Sequence, residues 1–210
     1  TTGNVYLVKS KATDTPGNEE TPGIGNSFTY DETLPSSIII SPTNGTTINS
    51  VSITGTASDV TPGIVSSVMV SIKNINDTLY YNGGGVWLTG QEWLNGAGTT
   101  SWSYTHGGLS WTSGKSYLIY SRARDDATNN QNPLTSITFT FDNIAPSSTV
   151  TLPTNNAMIS SLPNISGSAT DATAGVSNVK VSILNTTNNE YWTGSNWQTS
   201  GTDVFLNVTS

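Results

Sequence analysis

The sequence predicts an all-β protein assembled from repeats of one two-layered domain. Three observations carry this reading. Apolar and polar residues alternate along most short runs, the spacing of a strand with one buried face. Turn clusters such as SPTNGTT, DVTPG, THGG and DDATNNQNP separate those runs, and no stretch has a helical apolar stripe. The chain also repeats itself. Gly3, Tyr6, Leu7, Ser10, Ala12, Asp14 and Asn18 return as Gly114, Tyr117, Leu118, Ser121, Ala123, Asp125 and Asn129. Phe28, Asp31, Pro35, Pro42 and Asn44 return as Phe139, Asp142, Pro146, Pro153 and Asn155 at the same spacing. That period, about 111 residues, is a domain, because solenoid units run about 20–50 residues.

One complete repeat occupies residues 34–143. Its expected strands are Ser36–Ser41, then Ser50–Ala57, where Val51 and Ile53 alternate, and Val65–Asn74, where Val68, Val70 and Ile72 do. A ribbon over Leu79–Leu88 turns at NGGG. Thr99–Thr105 carries Trp102 and Tyr104, Ser116–Arg124 carries Tyr117 and Ile119, and Ser136–Asp142 carries Ile137, Phe139 and Phe141. Thr, Val, Ile, Tyr and Phe dominate these runs, as strands prefer. Residues 1–33 correspond to the last two strands of a preceding repeat. Residues 144–210 correspond to all the strands of a following repeat except its last two. Matching FLNVTS to WSYTH makes the final run the counterpart of Thr99–Thr105 and leaves the insert Leu88–Gly96 without a counterpart.

About seven strands in about 110 residues suit a β-sandwich. At this point the chain resembles the bacterial immunoglobulin-like repeats of large secreted and surface-anchored proteins. The resemblance rests on GTASD and GSATD after the second strand, on ATDTPGN and ARDDATNN after the sixth, and on FTYDETLP and FTFDNIAP at the domain exit. It implies tandem immunoglobulin-like antiparallel β-sandwiches, an extracellular or cell-surface setting, and use as a stalk, adhesin shaft or filament. Neighbouring repeats or copies of the chain itself, joined head to tail, are the implied partners. Linkers such as ETLPSS and NIAPSS limit bending, since Pro fixes φ. Two readings stay open for the split ends: a window on a longer array, or a subunit whose first strands complete a neighbour's partial domain.

Composition narrows the functions. Hydrophobic residues make up 34% and charged residues 10% of the chain, and Ser, Thr, Asn and Gly fill the remainder. With six Trp, eight Tyr and four Phe among alternating Val and Ile, a packed core is expected. There is no cysteine, which excludes disulfides, thiolate metal sites and cysteine nucleophiles. The net charge of −7 and a pI near 4.3 argue against nucleic acid, whose phosphates need a basic footprint. No apolar run nears the ~18 residues of a membrane-spanning helix, so no membrane insertion is expected.

The acidic residues are few and fall in equivalent loops. In a sandwich of this kind Asp59, Asp125, Asp126 and Asn129 gather at the pole where the preceding repeat enters, beside Asp31 and Glu32. Asp142 with Asp171 would begin the next such site. Calcium takes six to eight oxygen ligands in flexible geometry, so a structural Ca²⁺ at the junction is one reading. The other is that these side chains satisfy their own turns. Trp87, Trp93, Trp192 and Trp197 are candidates for contact with surface glycans, whose rings stack on such faces. No catalysis is expected: His106, the one histidine, has no Ser–Asp partners, and no glycine loop opens a helix. Five glycosylation sequons, at Asn44, Asn76, Asn164, Asn185 and Asn207, are what a chain rich in Asn, Ser and Thr produces by chance.

Overall fold

The computed structural model describes residues 1–208, and these contain strands, turns and loops with no helix. No helix long and apolar enough to cross a membrane is therefore present among them. The chain forms two compact units, Thr1–Asp142 and Asn143–Ser210.

The first unit opens with a ribbon of β1 (Val5–Val8) and β2 (Asn26–Thr29). Two sheets follow. One is built from β3 (Ser36–Ser41), β5 (Ile53–Ser58), β10 (Ala97–Gly98) and β11 (Ser101–Tyr104), in the order β10-β11-β5-β3. The other takes β4 (Thr46–Ile48), β6 (Val65–Asn74), β7 (Leu79–Tyr81), β8 (Trp87–Leu88), β12 (Ser116–Asp125) and β13 (Thr135–Phe141), in the order β4-β13-β12-β6-β7-β8. Every pairing is antiparallel except β4 with β13, and β9 (Leu94–Asn95) adds to β6.

The arrangement is sandwich-like. Ile53, Ala57 and Trp102 from the first sheet meet Val68, Val70, Ile72, Tyr117, Ile119 and Phe139 from the second in one buried core. Fully burying such a side chain contributes roughly 1.5–3 kcal/mol. Trp102 lies against Gly55, where a Cβ would strike both its ring and the Ile38 carbonyl, so only glycine fits there. A buried polar cluster ties β3 to the β12–β13 hairpin. Ser37 Oγ lies 2.6 Å from Gln131 Oε1 and 2.8 Å from Ser121 Oγ, while Gln131 Nε2 donates to the Ser37 carbonyl at 3.3 Å.

The internal repeat reappears as geometry. Tyr6 sits opposite Phe28 in the ribbon, as Tyr117 sits opposite Phe139. The Gly3 N–H donates to the Tyr30 carbonyl at 2.9 Å, and Gly114 N–H donates to the Phe141 carbonyl at 2.8 Å.

In the second unit, β14 (Ser147–Leu152) and β15 (Ser166–Thr170) pair as β3 and β5 do, with the irregularity at the matching place, between Val150 and Leu152. A second sheet there joins β17 (Leu184–Asn185), β18 (Glu190–Trp192) and β19 (Trp197–Thr199). β16 (Lys180–Val181) pairs with β20 (Leu206–Asn207), Val181 facing Leu206 and Lys180 facing Asn207. This corrects one sequence expectation. In the complete repeat Val70 faces Leu94 and Met69 faces Asn95, so FLN takes the place of WLN in the insert, not that of WSY in β11. The Val208 N–H donates to the Val179 carbonyl as Gly96 N–H donates to that of Val68. The tail of the insert thus has a counterpart, and the described residues of this unit stop short of a β11 equivalent. Alternation alone could not separate two short apolar runs that follow the same hairpin.

Candidate metal centre

Three loops of the first unit meet at one pole. Asp31 follows β2, Asp59 follows β5, and Asp125 ends β12. One carboxylate oxygen from each lies within 4.8 Å of the other two. Among the described residues this is where three acidic side chains converge.

Each carboxylate is held differently. Asp125 is buried, and Asn129 fixes both its oxygens: the backbone N–H donates to Oδ1 at 2.7 Å and Nδ2 donates to Oδ2 at 2.8 Å. Asn129 Nδ2 also reaches the Asp31 carbonyl at 3.3 Å, linking the exit of the ribbon to the loop after β12. Asp31 Oδ1 accepts from the Thr33 N–H at 3.0 Å and from its hydroxyl at 2.5 Å. Asp59 Oδ1 accepts from the Val60 N–H at 2.8 Å.

That leaves Oδ2 of Asp31 and Oδ2 of Asp59, both shut off from solvent and without a hydrogen-bond partner. A buried polar atom left so costs free energy. Burial pushes the Asp59 carboxyl above its ordinary range; the Val60 N–H opposes this, and the charges of Asp125, Asp31 and Asp126 add to it. Gly63 completes the cradle, since a Cβ there would collide with Oδ2 of both Asp59 and Asp31. Oxygen-only donors of this kind, with two uncommitted carboxylate atoms, suit a hard divalent cation such as Ca²⁺.

Not every predicted ligand joins. Asp126 Oδ1 accepts from the Ile64 N–H at 3.1 Å, bracing the loop that carries Gly63. Glu32 turns away: its carboxylate accepts from the Tyr30 hydroxyl at 2.9 Å, and its N–H donates to Thr2 Oγ1 at 3.0 Å. Asp142 is buried and accepts from Ser113 Oγ at 2.8 Å. Asp171, in the second unit, caps its own turn through the N–H groups of Thr173, Ala174 and Gly175, and these bonds hold its carboxyl below the usual range. Sequence reasoning missed Gly63 and Thr33. Gly63 left a signal in the DVTPG motif, which returns as DATAG with Gly175 at the same place.

Of the tryptophans named for glycan contact, Trp87 and Trp93 lie in the first unit and Trp192 and Trp197 in the second. Trp87 packs on the core, 5.7 Å from the Tyr81 ring and 6.0 Å from that of Tyr117. Trp93 lies under the Arg122 guanidinium at 4.3 Å. Trp192 and Trp197 pair across the β18–β19 hairpin at 5.5 Å. His106 stands edge-on to Trp111 at 5.3 Å, with Nε2 3.4 Å from the Val51 carbonyl.

No family model matches the chain. No curated protein matches it either. Among solved structures, one similarity is to an engineered protein determined by crystallography. It is 19% identical, covers 51% of this chain and 20% of that one, and has a TM-score of 0.32. A likeness that slight carries no argument about fold or function.

Proposed function

We propose that the chain is a run of immunoglobulin-like repeats acting as an extracellular spacer in a stalk, adhesin shaft or filament, with a divalent cation clamping the entry of one repeat to the next. Repetition supports this reading, since a module copied whole serves reach and load better than chemistry. The observation that carries it is the pair of uncommitted Oδ2 atoms of Asp31 and Asp59 beside Asp125. Asp31 belongs to the exit of the ribbon, and Asp59 and Asp125 to the pole of the complete repeat. A cation among them neutralises crowded charge and ties the two segments together.

The mechanical consequence is direct. Pulled from its ends, the complete repeat should open as one cooperative event, releasing roughly 350–400 Å of chain at ~3.5 Å per residue. The force needed should be higher in calcium than in EDTA. Single-molecule pulling measures both. Gradual extension without a cooperative step, or the same force in both buffers, would count against the clamp-and-spacer reading.

A further inference from the structure

The outer face of the larger sheet gathers cations in a chain that has few. The protein has seven Lys and Arg against fourteen Asp and Glu. Three of the seven, Lys73, Arg122 and Arg124, stand on the adjacent strands β6 and β12 of the complete repeat. Alternation fixes their side. Val68, Val70 and Ile72 of β6 and Tyr117, Ile119 and Ala123 of β12 fill the core. Lys73, Arg122 and Arg124 therefore point away from it, together with Met69 and Tyr120. Aromatic rings lie among them: Lys73 Nζ is 5.3 Å from the centre of the Tyr80 ring, and the Arg122 guanidinium 4.3 Å from that of Trp93. We propose that this face binds an acidic polysaccharide, a polymer of sugar carboxylates. Arg122 is the anchor, Lys73 and Arg124 flank it, and Tyr80 and Tyr120 offer ring faces to the sugars.

The three cations are uncommitted. Among the described residues the ion pairs are Lys11–Glu19 and Lys115–Asp77, and Glu92, beside Trp93 in the chain, pairs with none of the three. A guanidinium has five N–H donors. One from Arg122 reaches Met69 Sδ at 3.6 Å, while its Nε is shut off from solvent with no partner. Contact with Trp93 holds the group in place, so little side-chain freedom is lost when a carboxylate meets its fork.

Spacing and topology select the occupant. Across the β6–β12 pair Lys73 faces Leu118, Tyr120 faces Ser71 and Arg122 faces Met69. The rows of Lys73 and Arg122 are thus about 13 Å apart, and Arg124 lies about 7 Å further along. An extended polymer with charges set a few ångströms apart meets that row, and Tyr120 in the gap suits the C–H face of a sugar ring. β12 runs between β6 and β13, so an acidic peptide finds no free backbone edge to extend. Duplex DNA, with one charge per about 1.7 Å of axis, is far denser than three cations can match. At physiological salt the screening length is about 8 Å. The cations of this face, not the net charge of the chain, then set its field.

The test is titration calorimetry of the full chain with soluble polygalacturonate. EDTA is present, so that neither a junction cation nor calcium cross-linking of the polymer contributes. The expected result is saturable binding that weakens as salt rises and is absent with neutral dextran. Arg122→Lys keeps the charge but loses the fork, and should weaken binding about tenfold. Lys73→Gln and Arg124→Gln should each weaken it several-fold. Lys115→Gln, at a cation already paired with Asp77, should leave it unchanged. Arg124 is exposed, so Arg124→Gln should melt as the parent does and reads the site even where Arg122→Lys disturbs the fold. Polyglutamate and a DNA duplex should bind more weakly than polygalacturonate. No binding at low salt, parent affinity in Arg124→Gln, or equal affinity for polyglutamate or DNA would overturn the proposal.

Discussion

The ribbon Val5–Thr29 and the hairpin Ser116–Thr140 are the same structure in two surroundings. Register and ring stacking coincide. The loop bonds coincide as well: Asn18 N–H and Nδ2 hold Asp14 at 2.7 Å each, as Asn129 holds Asp125. Burial does not coincide. Tyr6 is 38% exposed and Phe28 50%, whereas Tyr117 is 0% and Phe139 2% exposed. Local sequence therefore dictates the hairpin, while the facing sheet decides what that hairpin contributes to stability. The loop chemistry divides the same way. Asp14 is solvated and its carboxyl is held below the usual range by the Asn18 amide, whereas Asp125 is buried beside two other carboxylates.

The largest break in this comparison should come from the aromatic pair. Phe139→Ala empties a core site and should cost about 3–5 kcal/mol. Phe28→Ala, at a half-exposed site, should cost under about 1 kcal/mol, and paired urea melts of the two variants measure the difference. Next in size is the amide that holds the aspartate. Asn129→Ala keeps the backbone N–H bond to Asp125 Oδ1 but removes the Nδ2 donor to Oδ2 of that buried carboxylate, and should cost about 1–3 kcal/mol. Asn18→Ala on the solvated copy should stay within about 0.5 kcal/mol.

The smallest effect is in pH. Asp59 binds its proton more tightly folded than unfolded, so in EDTA its charge destabilises the first unit above its raised folded pKa. That penalty is absent below the ordinary value near 3.8. Acidifying the metal-free chain from neutrality towards pH 4 should therefore raise the melting temperature of the first unit. Asp14 works in the other direction, but only as pH falls through its own depressed pKa. A melting temperature that falls steadily from pH 7 to pH 4 in EDTA would show that Asp59 is not crowded.

Much of the fold was legible. Ser36–Ser41 and Val65–Asn74 were expected with the bounds they have, because alternating apolar residues and flanking turns mark both ends. The parallel edge strand Thr46–Ile48 was not, since three residues carry no period and its partner β13 is remote in sequence. The counterpart of FLN was misread because register in short runs is set by the partner strand. For the site, the repeat pointed to the loops but not to side-chain directions. Asp31, Asp59 and Asp125 converge, while Glu32 is drawn off by Tyr30 and Asp171 by its own turn. Those choices depend on neighbours brought in by folding.

The cation clamp is tested most directly by scanning calorimetry of the full chain with and without calcium, beside an Asp59→Asn variant. At about 100 times its dissociation constant a bound cation should add about 2.7 kcal/mol, or roughly 5–10 °C in the melting of a unit this size. Asp59→Asn should melt no lower than the parent in EDTA and should gain little from calcium. Equal melting temperatures of the parent in calcium and in EDTA would contradict the account.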